Sequence, residues 1–324
     1  MTNASQNERS EHWSTTPERR GMWGLKLLWE LYRIGGRTLF TLIGAPVALV
    51  FWLTGTRARK ASEKFLSRVA ERRESLGMPP VKVSGFTHFR AFAMSMLDRL
   101  AAWAGDLKLA RDVDFADEES RRLLCEPTPD GKGRLVLVSH IGVAEATRAL
   151  AQHDRAVPVW ALVFDRHAPR FKAMLESVAP DASRHVIAVD QLGVETASML
   201  QDAIARGEWV AIAADRTPND ALTRSDRSVT ADFMGHKAPF PAGPFILASL
   251  LKCGVVTLFA VRRGNRILIK CRPFADEVRL PRRGREPELE RLAGLWSERL
   301  EAEALEHPAQ WFNFYDFWQE EEKS

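Results

Sequence analysis

His140 and Glu145 stand five residues apart in SHIGVAEA (139–146), directly after the apolar run LVLV. A neutral imidazole can take a proton from a hydroxyl or an amine near pH 7. A carboxylate behind the ring would fix its tautomer and stabilise the imidazolium. On one continuous helix, residues five apart lie about 140° apart and could not cooperate. The pair can meet if His140 sits on a strand–helix turn and Glu145 in the first turn of the helix. Gly142 permits such a turn and a close approach of substrate to backbone. The N–H groups at the helix start would then be open to a phosphate or an oxyanion. The plainer alternative is a structural histidine at a strand end.

Two later apolar runs also end in charged groups, Asp165-Arg166-His167 and Asp215-Arg216-Thr217. A guanidinium forks onto pairs of oxygens, so Arg166 and Arg216 suit phosphate recognition, or else surface ion pairs. Gly142, Arg166, Asp215 and Arg216 are therefore candidate substrate-binding residues beside the catalytic pair His140 and Glu145. The sequence holds no G-x-S-x-G, HExxH, P-loop or G-x-G-x-x-G motif. His167 and Asp215 could join a metal site, but their spacing does not demand one. No metal and no cofactor are expected. The simplest chemistry is direct transfer, with His140 activating a nucleophile that attacks a bound thioester.

These residues need a frame that gathers strand ends. Strand patterns at 134–139, 158–164, 185–190, 209–214 and 254–261 alternate with helical patterns at 142–152, 168–178, 194–206 and 244–252. Residues 266–272 pair with the last strand as a hairpin, 215–243 form a loop-rich insert, and 286–306 a long charged helix. The alternation predicts an α/β fold, a mainly parallel sheet flanked by helices. In such sheets ligands sit at the carboxyl ends of the strands. The helical pattern over 81–109, with Phe86, Phe89, Phe92, Met96, Leu100 and Trp103, reads as core.

With 324 residues and 45% hydrophobic composition, the chain can bury a large core. Its 46 Lys+Arg against 42 Asp+Glu is too even for a nucleic-acid binder. Three scattered cysteines exclude a disulfide framework. Four of the ten tryptophans fall in the first 52 residues, around the uncharged stretch LFTLIGAPVALVFWL (39–53). Arg57, Arg59, Lys60, Lys64, Arg68, Arg72 and Arg73 follow it. Tryptophans and cations around one short apolar stretch predict a membrane-associated helical segment, spanning or interfacial. The domain reading is a frayed 1–20, a membrane-associated 21–80 and an α/β domain over 81–324.

The His140-x4-Glu145 element at a strand end, Asp215 after a later strand, FMGHKAPFPAGPFILA (233–248) and HPAQWFNFYDFW (307–318) together carry a resemblance. So does the N-terminal ERRG (18–21) before the apolar stretch and arginine-rich helix. The chain resembles the late lipid A (lauroyl/myristoyl) acyltransferases of Gram-negative bacteria, within the wider glycerolipid acyltransferase fold. The Arg216-Thr217-Pro218 sequence and the aromatic end lean toward a divergent subgroup similar to acyltransferases of aryl-polyene or pigment-lipid pathways. The resemblance implies an enzyme on the cytoplasmic face of the inner membrane. It would move an acyl group from acyl carrier protein to a lipid or glycolipid acceptor, with His140 as base and Glu145 as its carboxylate partner. Phe233 and Phe240 would line an acyl-chain pocket, or pack a core loop. Nine basic residues between 262 and 285 would form a docking patch for the acidic carrier, or a solvated face. A hydrolase of the same fold and a non-catalytic lipid-binding protein are the rival readings.

Overall fold

The computed structural model describes residues 30, 34–35, 42–152, 157–163, 185–189, 193–217 and 228–318. Among the described residues, seven strands make one sheet in the order β1-β9-β8-β2-β5-β3-β4. They are β1 (Val113–Phe115), β2 (Arg134–Val138), β3 (Val159–Val163), β4 (Val186–Ala188), β5 (Trp209–Ala213), β8 (Gly254–Arg263) and β9 (Arg266–Ala275). β2 lies at the centre, parallel to both β5 and β8. The β8–β9 pair is antiparallel, closed by Gly264 in the left-handed region, so the sheet is parallel except at this hairpin.

The β2 run RLVLV is apolar on both faces because both faces are covered. Leu135 and Leu137 point to one core, with Leu200, Ile204, Phe245, Trp296 and Trp311. Val136 points to the other, with Ala101, Leu124, Leu258 and Ile269. The helices before the central strands are α1 (Thr56–Ser75), α2 (Gly85–Trp103), α3 (Leu109–Asp112) and α4 (Glu118–Cys125), of which α2 supplies Ala101 and α4 Leu124. After the central strands come α5 (Val194–Ala205), α6 (Gly243–Leu251) and α7 (Glu286–Glu306). Ser84 caps α2 by accepting the Thr87 amide, and Asp117 caps α4 by accepting that of Ser120.

Several expectations gain detail. The helical pattern read at 142–152 is a 3-10 helix over Ala144–Gln152. The stretch read as an insert, 215–243, contains an antiparallel hairpin, β6 (Ser228–Phe233) and β7 (His236–Pro241). Val229, Ala231 and Phe233 alternate inward on β6, and Met234-Gly235 turn the chain with positive φ. Helix α1, read as part of the membrane segment, docks on the α/β body: Phe65 and Val69 enter the core beside β2. Lys64 pairs with Asp316 and Arg72 with Glu301. The predicted helix 168–178, Arg166 and the segment 1–20 lie outside the described residues.

Residues 42–54 are helical, and this helix leaves Leu42, Val47, Leu49, Val50, Phe51 and Leu53 exposed. Among the described residues, no helix is long and apolar enough to cross a membrane.

Candidate active site

β2 and β5 are parallel neighbours with Val138 opposite Ala213. Two residues beyond each, that register sets His140 opposite Asp215 at the carboxyl edge of the sheet. The imidazole Nδ1 lies 2.8 Å from Asp215 Oδ1. The His140 backbone amide donates to Asp215 Oδ2 at 2.8 Å, and the Trp311 indole N–H donates to the same oxygen at 3.0 Å. Asp215 is fully buried, whereas the His140 side chain is 28% exposed.

Burial pushes the Asp215 carboxyl up, but His140 and Arg216 outweigh it and hold it at about 2. The carboxylate is therefore ionised and can only accept, so the proton of a neutral His140 sits on Nδ1. Its Nε2 carries the lone pair. Burial and the nearby Arg216 guanidinium push the His140 pKa below its ordinary 6.5, with Arg99 adding to them and Asp215 opposing. Near pH 7 the ring is a neutral base oriented by a buried anion.

The carboxylate on His140 is thus Asp215 and not Glu145. Glu145 Oε1 instead lies 3.5 Å from Arg99 Nη1, and Arg99 Nη2 donates to the Gly142 carbonyl at 3.3 Å. The chain after His140 does not enter a helix at once. Ile141 pairs antiparallel with Trp311, and Gly142 pairs with Ala260 of β8. Gly142 has φ +64°, and a Cβ there would sit 2.0 Å from the Ala260 carbonyl oxygen. What demands glycine here is the approach of strand β8, not of a substrate.

The amides of the turn between His140 and the helix are taken by protein acceptors. Ile141 N–H donates to Ser139 Oγ, Gly142 N–H to the Gln310 carbonyl and Val143 N–H to the Ala260 carbonyl. Positive charge is supplied by side chains instead. Arg216 is half-buried, donates to the Phe312 carbonyl at 2.6 Å and lies over the Tyr315 ring. Arg99, from α2, has no place in the sequence reading because its helix is recognisable only as a core element.

Residues 308–318 form a strap over this edge. Phe312 N–H donates to the His140 carbonyl at 3.0 Å, so backbone bonds flank the His140 loop. Gln310 exchanges two hydrogen bonds with the Arg262 backbone. The Trp311 carbonyl lies 2.8 Å from His88 Nε2, and His88 Nδ1 lies 2.8 Å from Ser62 Oγ. The strap therefore ties α1 and α2 to the turn that carries His140. The aromatic terminus closes over the core, and its bonds to Asp215 and His140 leave no signature in spacing.

Phe233 and Phe240, read as lining an acyl pocket or packing a core loop, are fully buried core residues. Phe233 stacks on Trp318 and meets Trp311 edge-on, and Phe240 packs on Phe317. Their side chains face the strap because hairpin β6–β7 turns that face inward. Five of the nine basic residues in the segment 262–285 sit in ion pairs. Arg262 forks onto Asp98, Arg266 pairs with Asp114, Lys270 with Glu303, Arg272 with Asp117 and Arg279 with Glu277. The sequence matches no protein-family model and no curated protein.

Proposed function

We propose that the protein is an acyltransferase that moves an acyl group from the thioester of an acyl carrier protein to a hydroxyl of a lipid or glycolipid. The observation that carries this reading is the buried Asp215 carboxylate bonded to Nδ1 of a part-exposed His140 at the carboxyl edge of a parallel sheet. A structural histidine does not need a buried anion on one nitrogen with the other left as a base. The resemblance to the late lipid A acyltransferases supplies the classes of donor and acceptor. The exposed apolar side of helix 42–54, followed by Arg57, Arg59 and Lys60, supports work at the cytoplasmic face of the inner membrane.

In this reaction His140 Nε2 takes the proton of the acceptor hydroxyl as its oxygen attacks the thioester carbon. Asp215 stabilises the imidazolium through Nδ1. The carbon–sulfur bond then breaks, and the thiolate leaves with the proton from His140. The acyl group passes straight to the acceptor with no acyl-enzyme between.

The test is incubation of the full chain with acyl carrier protein thioester and bacterial inner-membrane lipids, followed by mass spectrometry of the lipids. An acylated lipid formed in step with thiol release is expected. Release of free fatty acid alone would make the protein a hydrolase, and no thiol release would leave a lipid-binding protein.

A further inference from the structure

Attack on a thioester drives the carbonyl π electrons onto oxygen, and that oxyanion needs a positive partner. In many acyl-transfer sites backbone amides supply it. Here the amides of His140, Ile141, Gly142 and Val143 all donate to protein acceptors. We propose that Arg99, held by Glu145 and the Gly142 carbonyl, is the cation that faces this oxyanion. The inference rests on the acyl-transfer reading and assigns a role that the His140–Asp215 pair does not fill.

Three observations support it. Arg99 is anchored to the turn that carries His140, through the carbonyl of a residue two positions on. Its charge reaches the imidazole, where it disfavours protonation. Its fork is under-used. The contacts to Glu145 and Gly142 are long, at 3.5 and 3.3 Å, and its buried Nε makes no hydrogen bond. A guanidinium carries five N–H donors, so donors remain for a ligand oxygen. Glu145 gains a purpose here that its spacing from His140 alone does not reveal. It positions a cation rather than polarising the base.

During turnover the hydroxyl oxygen bonds to the thioester carbon and its proton passes to His140 Nε2. The displaced electron pair rests on the carbonyl oxygen against Arg99. Collapse of that oxyanion expels the thiolate, which recovers the proton.

Two readouts test the proposal on the full-length protein. The first is thioester turnover with acyl carrier protein thioester and membrane lipids. Arg99→Ala is expected to lower kcat by about 10²–10³ with KM within about threefold. Glu145→Gln is expected to lower kcat by about tenfold, because the guanidinium loses its anchor. The second readout needs no turnover. Inorganic phosphate, a tetrahedral oxyanion, is titrated while the His140 ring signals are followed by NMR. A saturable shift is expected in the wild type and not in Arg99→Ala.

Unchanged kcat in Arg99→Ala would overturn the proposal, as would an equal phosphate response in both proteins or none in the wild type. Should Arg99→Ala not fold, Arg99→Lys carries the same test, because it keeps the charge but loses the fork. Phosphate binding through Arg99 without thioester turnover would refute the acyl-transfer reading and leave the anion site standing. Turnover indifferent to Arg99 would do the reverse.

Discussion

The Trp311 indole N–H donates to Asp215 Oδ2, the oxygen that also receives the backbone amide of His140. A residue near the C-terminal end of the described chain thereby orients the carboxylate behind the base. Trp311 itself is held by Phe65 and Phe233 at ring distances of 4.8 and 5.0 Å, so the donor has little freedom.

Trp311→Phe keeps most of that packing and removes the donor. A lost bond to a buried carboxylate should cost about 2 kcal/mol of stability. The looser Asp215 should lower thioester turnover by about tenfold. Chemical denaturation and initial rates check both. A variant with unchanged rate and midpoint would show that the indole N–H does no orienting.

Activity should fall on the acid side as His140 gains its proton. Burial and Arg216 hold the His140 pKa below 6.5, so the limb of the kcat/KM profile should lie below that value. Arg216→Gln removes a cation that disfavours the imidazolium, so its limb should move to higher pH. A limb that stays put or moves down would contradict the assigned proximity.

His88 is buried between Ser62 and the Trp311 carbonyl, and burial lowers its pKa to about 4 against an opposing pull from that carbonyl. The unfolded chain binds this proton near 6.5, so below that pH the unfolded state holds more protons than the folded one. Stability should therefore fall as pH drops from 6.5 towards 4, by about 3 kcal/mol from this group alone. His88→Asn should flatten that part of the curve. Parallel urea midpoints for the two proteins across this range would refute the assignment.

The fold was legible because both faces of β2 are covered, which turns a strand into the unbroken run LVLV, and because glycine and charged groups mark the strand ends. His140 was legible for the same reason. Its true partner was not. Asp215 is 75 positions away and reaches His140 only through the β2–β5 register, whereas Glu145 is close in sequence and faces Arg99 instead. Phe233 and Phe240 were undecidable from sequence because an aromatic run with glycine and proline suits a pocket wall and a packed hairpin equally. In the basic run 262–285, spacing does not reveal the acidic partners Asp98, Asp114, Asp117 and Glu303, because they come from distant elements.

The exposed side of helix 42–54 gives the membrane reading its own test. Val50→Glu with Phe51→Glu places two charges where residues are 58% and 63% exposed, so the fold should survive. Binding to vesicles containing phosphatidylglycerol should weaken by at least about tenfold. Unchanged flotation with vesicles would remove this helix from any membrane contact.

The central claim is that a base at His140 works through Asp215. Asp215→Asn keeps the shape of the site and removes the charge that stabilises the imidazolium. Single-turnover thioester cleavage by this variant, with its fold verified by near-ultraviolet circular dichroism, should be slower by about 10³–10⁴. A folded Asp215→Asn protein that cleaves within about threefold of the wild-type rate would contradict it.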